Sequence, residues 1–411
     1  MDSTLNCPMP EPCSATVAAA SVAAIDPDEI AAWVRLDAVP GLGRRTARLL
    51  LDKFGLPQQV LAAGTAELAR WVPAAMVGAI RARPDSALSA QIDRTLQWLR
   101  EPGHHLLTLA DPAYPRAMLD LSDPPLMLYA LGRLERLRSP ALAVVGARSA
   151  TVQGGRDAER FAAAFSGAGI TVVSGLALGI DAAAHAGGLN GPGGTIAVVG
   201  TGLDRCYPAC HRTLAQRIAA DGLVLGELPL GTPARSLHFP QRNRLIAALS
   251  RGVLVVEAAL RSGSLITARL AAELGREVFA VPGSIHAPLA AGCHRLIQQG
   301  AKLVECPQDV FDELGLSPGL SPGASPGASP AASRRSSAAL SPAGMPPPPT
   351  SAPAPDRADA LGAALAYDPV DPDTLCARTG MPPEAVTAVL LDLELAGAVE
   401  RMPGNRYRRL T

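Results

Sequence analysis

From Asp28 to about Arg100, apolar residues recur at helical spacing, as in Ile30, Trp33, Val34 and Leu36. Val39-Pro40-Gly41-Leu42-Gly43 interrupts that pattern, and a helix resumes from Arg44 to Phe54. Helix, glycine-rich turn, helix is the pattern of a SAM-like or helix-hairpin-helix domain. In such a domain the turn's free N–H groups and the next helix start can hold a phosphate. An ordinary helical hairpin fits the same residues. From His104 to about Leu314 the pattern changes to short apolar runs alternating with amphipathic stretches. The runs predict strands over 106–109, 126–130, 141–145, 171–174, 195–199, 252–256, 278–281 and 302–304. Helices are expected over 155–166, 181–187, 212–220, 242–250 and 265–274. Near-continuous apolar strands separated by crossover helices predict a largely parallel sheet covered on both faces, an α/β doubly wound domain.

The flanking segments complete the plan. Residues 1–26 read as a disordered leader, 27–103 as the helical domain and 104–314 as the α/β domain. Residues 315–355 read as a linker, because Ser-Pro recurs at Ser317, Ser321, Ser325 and Ser329 before the Pro346–Pro349 run. Such a composition cannot bury a core. In 356–411 a helix over 357–366, a second from Asp371-Pro372 and a third over 383–395 precede two short strands, around 399–401 and 407–409. Pro403-Gly404-Asn405 makes the turn between them. Three helices and a hairpin describe a winged helix.

Composition narrows the partners. Acidic and basic residues balance at 37 each, so a nucleic-acid site has to be a local patch. The seven cysteines are scattered and lack metal or disulfide organisation, which reads as free cytosolic thiols with no metal and no cofactor. The apolar run Ala15–Ile25 is short and follows no basic segment, and no later run reaches about 18 residues. The chain is expected in the cytoplasm, away from membranes.

In an open parallel sheet, ligands bind beyond the carboxyl ends of the strands, and the chemistry-bearing residues follow the strands here. After the 141–145 strand come Gly146-Ala147-Arg148-Ser149, where Arg148, Ser149 and a helix start could grip a phosphate. After the 171–174 strand comes Ser174-Gly175-Leu176-Ala177-Leu178-Gly179-Ile180-Asp181, leading into a helix with His185. After the 252–256 strand come Glu257 and then Arg261-Ser262-Gly263-Ser264, opening a helix with Thr267. Hydroxyls and free N–H groups at such places form anion-binding concavities. In Phe239-Pro240-Gln241-Arg242-Asn243-Arg244, the two arginines fall at an expected first helical turn. A cation there opposes the helix dipole and points to an anion. Pairing of these arginines with Glu227, Glu257 or Asp181 is the competing reading, and His185 reads as a packed or capping residue. Gly200-Thr201-Gly202 follows a strand, but Arg205 stands where a dinucleotide fingerprint needs its third glycine. No phosphate-loop Gly-Lys-[Ser/Thr] occurs. Of 14 aromatic residues only Tyr207 and Phe239 fall near these loops, so binding should lean on phosphates and fall steeply with salt.

At these residues the chain resembles the DprA/Smf family of DNA-processing proteins. Five ordered segments carry the likeness: Ala143–Arg148, Ser174–Asp181 with Ala184-His185, Phe239–Arg244, Glu257-Ala258 with Arg261–Leu265, and Val281–Ser284. The resemblance implies an extended Rossmann-type fold, a homodimer, no enzymatic activity and binding of single-stranded DNA. It also implies loading of a RecA-type recombinase onto incoming DNA in natural transformation. Carried onto this sequence, the DNA-binding residues would be Arg148, Ser149, Ser174, Gly175, Arg242, Asn243, Arg244, Arg261, Ser262, Gly263 and Ser264. His294 departs from an expected Asn. The family's supporting lysines have no counterpart, since Lys302 is the α/β region's one lysine, and Arg235 is a candidate substitute.

The last predicted helix carries Glu384, Asp392 and Glu394 and no Lys or Arg from Pro382 to Ala396, which favours a protein-contact or accessory role. Arg401, Arg406, Arg408 and Arg409 sit on the wing. The main alternative is a nucleotide-processing enzyme of the phosphoribohydrolase kind, motivated by Glu257, but its Pro-Gly-Gly-x-Gly-Thr loop is missing. A pure scaffold is a third reading.

Overall fold

The computed structural model describes residues 26–316, 361, 370–395, 398–402 and 406–409. The expected leader lies outside these residues apart from Asp26, as does the linker apart from Gly315 and Leu316. The expected 357–366 helix lies outside apart from Leu361, and so does the Pro403–Asn405 turn. The chain divides into two compact units, Met1–Leu96 and Gln97–Thr411.

In the first unit, the Asp26 side chain accepts from Asp28 N (3.1 Å) and starts α1 (Pro27–Asp37), with Pro27 where an N–H would have no partner. Leu42 N donates to Val39 O (3.1 Å) across the glycine turn, and α2 runs Arg44–Phe54 as the spacing predicts. Short helices α3 (Pro57–Ala62), α4 (Thr65–Leu68) and α5 (Ala74–Arg81) follow, then α6 (Ser86–Trp98). Trp33, Leu36, Leu50, Val60, Leu68 and Ile80 form the buried centre.

The second unit is built on a nine-stranded sheet. Its strands are β1 (His104–Thr108), β2 (Met127–Gly132), β3 (Ala141–Val145), β4 (Thr171–Ser174), β5 (Thr195–Val198), β6 (Leu223–Gly226), β7 (Gly252–Val255), β8 (Glu277–Ala280) and β9 (Lys302–Leu303), in the order β1-β2-β6-β5-β4-β3-β7-β8-β9. β1–β2 and β2–β6 pair antiparallel; every other pairing is parallel. β6 is a strand that the periodicity reading missed.

The apolar runs divide by parity, as buried parallel strands require. Ala141, Ala143 and Val145 face one core layer, and Leu142 and Val144 the other. The first layer is covered by α10 (His238–Leu249), α11 (Ser264–Glu273) and α12 (Ala291–Gln298), through residues such as Ile246, Ala268 and Leu296. The second is covered by α7 (Val152–Gly167), α8 (Ile180–Gly188) and α13 (Pro307–Leu314), through Phe161, Phe165, Ala184 and Phe311. α9 (Arg212–Asp221) contributes Ile218 to a smaller cluster. Strand order reverses at β3, whose neighbours are β4 and β7. That switch point places the crevice.

Beyond the sheet, α14 (Pro372–Thr379), α15 (Pro383–Leu395) and the hairpin β10 (Val399–Met402)–β11 (Arg406–Arg409) enclose Leu361, Leu375, Val386, Leu390 and Tyr407. Asp371 caps α14 by accepting from Thr374 N at 2.8 Å. No helix among the described residues is long and apolar enough to cross a membrane.

Candidate functional site

The loops after β3, β4, β5, β6 and β7 surround an open cleft of about 730 Å³. Arg148 and Ser149 line it from the β3 loop, and both are exposed. Arg235 lines it from the loop before α10, Arg242 and Asn243 from α10 itself, and Arg261, Ser262, Gly263 and Ser264 from the loop and start of α11. Segments far apart in sequence thus deliver four guanidinium groups to one opening.

Arg242 is the deep member. Its residue is only 5% exposed, Nη1 donates to Val198 O, and Nε is buried without a hydrogen-bond partner. Burial pulls its pKa down to about 10; nearby Asp181 resists that fall and Arg148 adds to it. Asp181 Oδ2 accepts from Gly175 N (3.1 Å) and Ala177 N (3.3 Å). Burial raises the Asp181 pKa, against the pull of Arg242 and these N–H donors. The pocket wall therefore holds a largely dehydrated guanidinium, and its charge is balanced in part by the neighbouring Asp181 carboxylate.

The β4–α8 loop makes room for this. A Cβ on Gly175 would sit on the Arg242 guanidinium, and Gly179 (φ +74°) would drive a Cβ into the Ala147 and Arg148 backbone. His185 pins the same loop: its Nε2 accepts from Leu176 N (3.2 Å) and its Nδ1 meets Thr195 Oγ1 (2.8 Å). Thr195 Oγ1 gives its own proton to Val172 O, so Nδ1 carries the imidazole proton. Burial, then the Arg242 and His211 charges, bring the His185 pKa down to about 3 and keep the ring neutral. This is the packed role expected of it.

Three expected contacts do not reach the cleft. Arg244 is buried against Glu227, and its Nη1 donates to Asp123 O at 2.9 Å; the competing pairing reading is the right one for this residue. Ser174 is fully buried with its hydroxyl donating to Val144 O (2.7 Å), and the Gly175 N–H is engaged by Asp181. The dipole argument for the two arginines also fails. The helix begins at His238, so Arg242 and Arg244 lie in its second turn, where the dipole has faded.

The remaining loops are well held. Ser262 Oγ and Ser264 Oγ stand 2.7 Å apart, and Asn243 Nδ2 donates to Gly263 O (3.3 Å), tying α10 to the α11 start. Glu257 accepts from Thr151 N (2.9 Å) and Thr151 Oγ1 (2.6 Å), anchoring the start of α7 instead of lining the cleft. His294, the departure from the family pattern, bonds Gly283 O through Nε2 at 2.9 Å. Sequence reasoning named Asp181 as a possible partner of the arginines without placing it in the cleft wall beside Arg242, and it left Arg235 a candidate substitute. The acid's position four residues beyond Ala177, at a helix start, was the available signal for the first.

A doubly wound sheet whose switch point opens into a guanidinium-lined cleft defines a class: a Rossmann-type domain suited to an anionic ligand. Comparison with known proteins narrows it. Residues 105–315 match the family described as DNA recombination-mediator protein A, and residues 345–405 match the DprA winged helix domain. Protein Smf of Escherichia coli K12 is 41% identical over 319 residues, covering 77% of this chain and 80% of that protein. DNA processing protein DprA of Streptococcus pneumoniae R6 is 48% identical over 206 residues, covering 50% and 73%. The X-ray structure of DprA from Streptococcus pneumoniae superposes with a TM-score of 0.59 at 38% identity, covering 70% of this chain and 98% of that one. The chain belongs to the DprA/Smf family of DNA-processing proteins.

Proposed function

We propose that this chain binds single-stranded DNA in the cleft at the β3–β7 switch point and serves as a recombination mediator. In that role it loads a RecA-type recombinase onto incoming strands in natural transformation, acting in the cytoplasm as a homodimer and catalysing no covalent step. The observation that carries the reading is the convergence of Arg148, Arg235, Arg242 and Arg261 on one opening. A strand's successive phosphates suit several guanidinium groups spread over one cleft, since each contact releases counterions. DNA-binding contacts are assigned to Arg148, Ser149, Arg242, Asn243, Arg261, Ser262, Gly263 and Ser264, with Arg235 added. Recombinase loading and dimerisation rest on family membership.

The reading of no enzymatic role rests on family membership, and the carboxylates near the cleft are held in structural contacts. Asp181 is the one acid lining the cleft among the described residues, and two backbone N–H groups already hold it as a neighbour of Arg242. Glu257, which motivated the phosphoribohydrolase alternative, is engaged by Thr151. Gel shifts at moderate salt test the binding, with single-stranded and duplex oligonucleotides of equal length. Single strands should be preferred clearly, and equal binding would sink the reading. Faster recombinase assembly on a strand coated with single-strand-binding protein tests the mediator role.

A further inference from the structure

Two carboxylates hold the start of α7. One is Glu257, which follows β7 and accepts from Thr151 N and Oγ1. The other comes from the wing: Glu400 Oε1 on β10 accepts from Val152 N at 3.4 Å. Glu400 Oε2 accepts from Arg408 Nη2 on β11 at 2.9 Å, and the side chains of this pair are only 17% and 12% exposed. Beside the contact lies a second cavity of about 730 Å³, between Gln153 and Gly154 of α7, the segment after β8, and Met402, Arg406 and Arg408 of the hairpin. It adjoins the strand cleft. Leu289 lines both openings, and the short β3–α7 loop gives Arg148 and Ser149 to the cleft and Thr151 to the second cavity.

The start of a helix carries spare N–H groups and a positive dipole end, so it favours an anion. From the sequence, Arg148, Ser149 and this helix start were expected to grip a phosphate together. In the structure the cleft keeps Arg148 and Ser149, and the helix start holds a carboxylate of the chain itself. We infer, resting on the strand binding proposed above, that the seated wing is an autoinhibitory contact: Glu400 occupies the Val152 N–H, which a phosphate of the bound strand takes once the wing lets go. Ser149 and Val152 are three residues apart, so a phosphate seated at Ser149 has the start of α7 as its neighbour. One bond of 3.4 Å at an exposed amide is weak enough for a polyanion to displace. The coupling is reciprocal, so a bound strand unseats the wing as the wing opposes the strand.

The test uses the full chain and fluorescent oligothymidylate, with a thermal melt of each variant to show that it is folded. Glu400→Gln keeps the shape of the side chain and removes its charge. It should bind about two- to fivefold more tightly than the native chain, the range that a charge at a helix end supplies. Its slope of log affinity against log salt should steepen by roughly 0.7, one added phosphate contact. Val152→Pro deletes the contested N–H at the first position of α7, where a helix accepts proline. The side chain there is exposed, and Thr151 before it already has the extended backbone (ψ 163°) that proline requires. The double variant Val152→Pro/Glu400→Gln should therefore return to native affinity and native slope. If it kept the gain, the freed Arg408 would be drawing the strand and the inference would be overturned. Native affinity and slope in Glu400→Gln would overturn it too, with strand binding in the cleft left intact. Binding of no strand by the native chain would overturn the functional reading as well.

Discussion

Arg242 and Arg244 leave α10 two positions apart and end in opposite circumstances. Arg244 meets Glu227 and Asp123 and finds its charge answered; Arg242 lines the cleft wall. Arg244→Ala should therefore destabilise the α/β domain by about 3–5 kcal/mol, because the buried Glu227 would lose the guanidinium that answers its charge. The salt slope of strand binding should not change in that variant. Denaturant melts and a salt titration check both halves, and a flattened slope would return Arg244 to the DNA site. Arg148→Ala should do the reverse, leaving stability within about 0.5 kcal/mol and weakening binding regardless of sequence.

His185 adds a pH dependence whose sign is fixed. Its pKa is about 3 in the fold against a usual 6.5, so between these values the unfolded chain binds the extra proton. This residue's stability contribution is complete above about pH 6.5 and is lost as the pH falls toward 3. His185→Gln, which cannot titrate, should show a shallower fall in urea midpoint from pH 6 to pH 4 than the native chain. An unchanged fall would assign the effect elsewhere.

At the scale of elements, parity made the sheet legible. β3, β4 and β7 read correctly because runs such as Ala141–Val145 are apolar at every position, which a strand between two helix layers demands. β6 escaped because Leu223-Val224-Leu225 is short and follows a helix after a single glycine. Helix starts shifted for local reasons. Thr151 caps α7 by accepting from Gly154 N (2.9 Å), three residues before the apolar pattern becomes visible. α10 begins at His238 because Pro240 fits a first turn, where its missing N–H has no partner to lose. The cleft loops were legible because glycines and hydroxyls follow strands. The sorting of arginines into lining and buried groups was not, since it depends on Glu227 and Asp123 arriving from other segments. One element invites a direct trial. Gly175→Ala would press a methyl onto the Arg242 guanidinium, so strand affinity should fall at least tenfold with the winged helix untouched. A variant that bound normally would place the working surface elsewhere. α15 exposes Glu384, Asp392 and Glu394 and shows no basic residue. Leu390→Ala should loosen its small core by about 2–5 kcal/mol yet change single-strand affinity less than twofold.

For the whole molecule, charge balance makes the argument sharper. With 37 acidic and 37 basic residues the chain exerts little net pull on a polyanion, so affinity has to come from where the arginines are gathered. Arg148, Arg235, Arg242 and Arg261 share the cleft. If each meets one phosphate, four contacts on a single strand give a slope of log affinity against log salt of roughly −3, at roughly −0.7 per contact. Each exposed arginine removed should lower that slope by roughly 0.7, whereas removing Tyr207 should leave it alone. Titrations from low to physiological salt on the native chain, Arg148→Ala and Arg148→Ala/Arg261→Ala would read the series. A native slope near zero would mean that the strand is held by something other than these guanidinium groups. A slope steeper than about −6 would mean that a second basic surface, such as the wing's Arg406 and Arg408, grips the strand as well.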